Sequence, residues 1–118
     1  MTNIARIAVL LVALLHFYFL IMEMFLWTKP MGLKAFGLTP EQAESSKVLA
    51  MNQGLYNGFL AAGLLWGING GGFHVLLFFL GCVIVAGIFG GLTASKKIFL
   101  VQALPGLIAL VLLHLQPR

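Results

Sequence analysis

Glu23 is the only acidic residue that falls inside an apolar run of this sequence. A carboxylate near the centre of a membrane helix costs about 2.5–3.5 kcal/mol, so it is usually neutral, paired or turned to a wet cavity. Such an acid binds a ligand or a proton, or works as a general acid and base. His16 precedes it by seven positions, about 20° from the same helix face at 100° per residue. The rise between them is roughly 10 Å, so they share a face without touching. Asn52, Gln53, Tyr56 and Asn57 follow on a second apolar segment, within an arc of about 140°. Four hydrogen-bonding side chains in six residues are poor partners for lipid and suit a lined cavity. Gln102 and Thr93 are further polar groups beside apolar runs.

Other chemistry finds no support. His16, His74 and His114 stand far apart, and Cys82 is the only cysteine. One cysteine makes no internal disulfide and no CxxC pair. No metal and no cofactor is therefore expected. The net charge is +4, but the seven lysines and arginines are scattered. They form no basic stripe interleaved with aromatics, so nucleic-acid binding is rejected.

The elements that must carry these groups are membrane helices. Of 118 residues, 61% are hydrophobic and 8% charged, against about 25% charged in soluble domains. A soluble fold this small could not hide so much apolar surface. A spanning helix needs about 20 mostly apolar residues. One domain over 1–118 is expected, with helices at about 4–27, 40–68, 73–92 and 98–115. The apolar run after Arg6 extends to Trp27, too long for a signal peptide, and no small-x-small cleavage site follows. It reads as a retained membrane helix.

Thr39-Pro40-Glu41-Gln42 reads as a helix start, with threonine as N-cap, proline at the first position and glutamine three residues after the cap. Residues 31–38 form either a surface-lying segment or a loop. Pro105 should kink the last helix. The short turns at 69–72 and 93–97 force antiparallel neighbours. The predicted fold is all-α: a polytopic membrane protein built as an antiparallel four-transmembrane-helix bundle.

Loops 1 and 3 hold Lys29, Lys34, Lys47, Lys96 and Lys97, while Arg6 and Arg118 lie on the other side. The positive-inside rule makes loops 1 and 3 cytoplasmic, with both termini outside. Glu23, the amide-rich stretch, Thr93 and Gln102 then fall in one leaflet. A polar pocket is expected there, with His16 near its floor. Gly54/Gly58, Ala86/Gly90 and Gly87/Gly91 let helices approach closely, within one chain or in a homodimer.

Leu15 and His16, then EMFLW at 23–27, then NQGLYNGFLAAGL at 52–64, resemble the bacterial membrane family filed as domain of unknown function 1304. The resemblance covers nearly the whole chain, and the 52–64 string is its more specific part. It implies a four-helix membrane protein of about this length and brings no catalytic role.

Each feature also has a bland reading. Glu23 paired with Asn52 or Gln53 would only lock two helices together, and His16 is more simply an interhelical hydrogen-bonder. Three functions follow. The first is binding or transport of a small solute or lipophilic molecule through Glu23, His16, Asn52, Gln53, Tyr56, Asn57 and Gln102. The second is a membrane enzyme, isomerase-like, with Glu23 as general acid/base and Tyr56 or His16 as its partner. The third is a structural accessory protein in which the polar groups are internal glue. Besides the lipid bilayer, the partners expected are a small-molecule or lipid ligand and a second copy of the chain.

Overall fold

The computed structural model describes residues 1–117, and every regular element among them is helical. The order is α1 (Asn3–Met24), α2 (Pro30–Phe36), α3 (Pro40–Trp66), α4 (Phe73–Thr93) and α5 (Leu104–Leu115). Two π-turns, Gly67–Gly71 and Phe99–Ala103, extend α3 and precede α5. Helices α1 and α4, of 22 and 21 residues, are long and apolar enough to cross a bilayer. The stretch Phe99–Leu115 is a shorter apolar helix. Packing divides the chain into two compact units, Met1–Leu14 with Leu60–Arg118, and Leu15–Phe59.

The first unit has an aliphatic core. Val9, Val12 and Ala13 of α1 pack with Leu64 of α3, Leu76, Leu80 and Val83 of α4, and Ala109 and Leu113 of α5. Large side chains such as Phe78, Val85 and Phe89 stand at the surface. An apolar outside around an apolar core suits a lipid surrounding better than water.

Glycines set the close approaches. Ala103 reaches α4 where Gly87 has no side chain, and the Phe99 ring covers Gly91. The α3–α4 connection turns through Gly70 (φ 126°) and Gly72 (φ 85°), a backbone region that L side chains rarely adopt.

Pro105 does not bend the last helix by a simple break. Its missing N–H and bulky ring oppose regular α-helical bonding one turn upstream. That turn is widened instead, with the Leu104 amide reaching back to the Phe99 carbonyl, a π-type i→i−5 bond.

The second unit begins in the last turns of α1. The expected helical run to Trp27 stops at Met24. There the Leu26 amide reaches back to Ile21, and the chain turns through Lys29. The reason is tertiary. Trp27 leaves the helix to donate from Nε1 to Ser46 Oγ at 3.0 Å and to pack its ring on Phe36 at 4.8 Å. Within 31–38 the chain forms most of the short helix α2, which closes at Gly37 in the left-handed region, φ 63°.

Helix α3 begins at a reciprocal cap. Thr39 N–H donates to Gln42 Oε1 at 3.0 Å, and Gln42 N–H donates to Thr39 Oγ1 at 3.1 Å. Two otherwise orphaned donors are satisfied by local chemistry alone. Thr39→Ala should therefore cost about 1 kcal/mol of local helix stability. Hydrogen–deuterium exchange is expected to quicken over the first turn of α3 and to stay unchanged in α4.

Candidate functional site

The candidate site lies within the second unit, on the seam between the end of α1 and the middle of α3. Gly54 and Gly58 line that seam. A Cβ on Gly54 would stand 2.6 Å from Met24 Cγ, 3.1 Å from Glu23 Cβ and 3.2 Å from the Leu20 carbonyl oxygen. One on Gly58 would stand 2.6 Å from Leu20 Cδ1. This small-residue pair is thus occupied by α1 of the same chain.

The two glycines fix the rotation of α3. At 100° per residue, Asn57 lies about 80° from the centre of the Gly54/Gly58 line, Gln53 about 120°, Asn52 about 140° and Tyr56 about 180°. Asn57 therefore sits at the edge of the seam and meets Glu23, its Nδ2 donating to Glu23 Oε1 at 2.6 Å. Both side chains are partly buried.

The other three polar residues depart from the expected inward face. Asn52 is exposed and returns its amide to the Val48 carbonyl of its own helix at 3.1 Å. Gln53 is exposed one turn before Asn57, on the same edge. Tyr56 is 57% exposed, on the side of α3 away from the glycine line, beside Phe59. The physical reason is that the glycines, rather than the amides, make the closest helix contact. The expected pairing of Glu23 with Asn52 or Gln53 is replaced by a pairing with Asn57.

His16 is fully buried and meets the Phe19 ring edge-on at 5.4 Å. It is enclosed, whereas Glu23 keeps a surface edge. Gln102 belongs to the first unit. It lies in the π-turn before α5, and its Nε2 donates to the Val83 carbonyl at 3.2 Å. Thr93 returns its hydroxyl to Phe89 at 2.7 Å. These two amide and hydroxyl groups are tied to α4 backbone.

The arrangement offers one carboxylate with one oxygen held by a neutral amide. The only ion pair among the described residues joins Lys47 and Glu44, at 2.7 Å, on the outer part of α3. No group of three His, Cys, Asp or Glu among the described residues could hold a metal ion. Acid–base work would need a second group beside the carboxylate, and Tyr56 faces away from α1.

The Trp27–Ser46 bond is not predicted by helix periodicity, because it depends on the chain leaving α1 early. The sequence signal was present: an indole at a helix end and a serine four residues after the Gln42 cap partner.

The chain matches known proteins over nearly its full length. A family model described as "Protein of unknown function (DUF1304)" matches residues 10–114, a range that contains Glu23 and Asn57. A protein of Lactococcus lactis subsp. lactis (strain IL1403), described as uncharacterized protein YpaA, is 34% identical over 115 residues. That alignment covers 94% of this chain and 97% of the relative. No solved structure matches.

Proposed function

The chain belongs to the DUF1304 family, and from that premise we propose that it is a four-span protein of the bacterial inner membrane that binds or carries a small molecule at the Glu23–Asn57 edge. The observation that carries this reading is the state of Glu23. It is a carboxylate in an apolar helix, bonded across the seam by a neutral amide and joined to no cation among the described residues. Intramembrane acids of this kind are a functional hypothesis by default. The exposed amide of Gln53, on the same edge, adds a second hydrogen-bonding group for a ligand.

A hydrophobic carbodiimide tests the site directly, since it modifies carboxyl groups reached from the hydrocarbon phase. Applied to the full chain in liposomes, it is expected to modify Glu23, located by peptide mass spectrometry. Glu23→Gln should abolish that adduct. If Glu23 stays unmodified while the same carbodiimide reaches an added lipid-facing carboxylate, the edge is closed and the binding reading falls.

The orientation proposed puts the lysine-rich segments 28–47 and 93–97 in the cytoplasm. Cysteines introduced by Ser45→Cys and Ser95→Cys, in a Cys82→Ala background, should react with an impermeant maleimide only in inverted vesicles. Labelling in intact cells would reverse the topology.

One observation also favours a second reading. The Asn57–Glu23 bond joins α1 to α3 beside a glycine seam, which is how interhelical polar contacts act as glue. On that reading Glu23 is structural, and the carbodiimide finds no reactive acid.

A further inference from the structure

We propose that the ligand of the Glu23 edge is a lipophilic organic monocation. This deepens the binding reading above and rests on it. Glu23 Oε1 accepts one hydrogen bond, from Asn57. No second hydrogen bond and no ion pair reaches this carboxylate among the described residues. A carboxylate in weakly polar surroundings attracts a cation far more strongly than the same group in water. The chain's nearby cations do not meet that demand: Lys47 is engaged by Glu44, and Lys29 and Lys34 stand exposed outside α1 and α3.

The chemistry of the edge excludes hard metal ions. Calcium takes six to eight oxygen ligands and magnesium a near-ideal octahedron, and no group of three His, Cys, Asp or Glu gathers at Glu23 among the described residues. The residues that share the seam with Glu23 include apolar and aromatic ones. Leu20 and Met24 flank it on the seam. Phe19 lies one turn earlier on α1, about 40° round the helix, with a partly buried ring. One anionic point set in apolar and aromatic surface matches a cation of low charge density carrying apolar bulk, which an aromatic face also attracts. Neutral Asn57 and Gln53 add no positive charge to repel it.

Tetraphenylphosphonium and tetraphenylborate have nearly the same shape and opposite charge, so together they separate charge recognition from simple occlusion. The full chain in liposomes is treated with hydrophobic carbodiimide in the presence of each, and the rate of Glu23 modification is followed. By mass action, tetraphenylphosphonium at about ten times its Kd should slow modification about tenfold. Tetraphenylborate should leave the rate unchanged. Equilibrium dialysis should show tetraphenylphosphonium binding that Glu23→Asp retains and Glu23→Gln loses. Equal protection by both ions, or protection by neither, overturns the cation assignment while leaving a reactive site in place. A Glu23 that never reacts, even without either ion, overturns the site itself.

Discussion

Gly87→Ala should destabilise the protein by about 1–3 kcal/mol, the usual cost of forcing extra volume into a packed seam. An added Cβ would stand 2.6 Å from the Ala103 nitrogen and 2.9 Å from its Cα. These are backbone atoms of the π-turn before α5, so no side-chain rotation relieves the clash. The turn would have to move as a unit. That would pull Gln102 from the Val83 carbonyl, where its amide now donates at 3.2 Å. Gly81 on the same helix is the control, because nothing lies within 4 Å of its would-be Cβ. Gly81→Ala should be neutral or stabilising by up to about 1 kcal/mol, from helix propensity alone. Denaturant titration of both variants in mixed micelles measures the difference. Equal stabilities would mean that Ala103 does not approach α4 as closely as described.

Parts of the fold set by local contacts were legible in the residues, and parts set by distant contacts were not. The α3 start was readable because Thr39, Pro40 and Gln42 act on their own backbone, within one turn. The Gly70 and Gly72 turn was readable because the sequence offers four consecutive polar or side-chain-free positions there. Trp27 leaves the helix that its apolar run predicts, because its exit depends on Ser46 and Phe36, both remote in sequence. The short helix α2, Pro30–Phe36, packs on that same tertiary anchor through Phe36. Pro105 announced a disturbance, yet proline alone does not choose between a break and a widened turn.

The site was legible in part for a similar reason. That the end of α1 would meet α3 was readable, since both helices run out from the same connection, residues 28–47. The rotation of α3 was not. A polar arc of about 140° looks like one inward face until the glycines claim the contact line. Once Gly54 and Gly58 face Leu20 and Met24, Asn57 is the amide left to bond Glu23, with Gln53 further round the same side. The glycine spacing announces close packing, but spacing alone does not say which helix fills it.

That pair carries the second large expectation. Asn57→Leu removes the donor and leaves a partly buried carboxylate without its hydrogen bond. Glu23→Leu removes the acceptor and leaves the Asn57 amide unpaired. Each single change should cost about 1–3 kcal/mol, the penalty of stranding a buried polar group. Changing both removes the unmet groups together, so the double variant should be more stable than the two costs summed predict. Interhelical hydrogen bonds in membranes couple by about 0.6 kcal/mol on average and up to about 1.7, and the cycle should close within that range. Glu23→Gln tests a different quantity. It keeps an oxygen that can accept from Asn57, so stability should stay near that of the parent while carbodiimide reactivity and cation binding vanish. Stability and reactivity moving apart in this one variant would place the value of the carboxyl group in its charge. A Glu23→Gln protein that loses stability as fully as Glu23→Leu would instead make the acid a helix fastener, and the glue reading would stand alone.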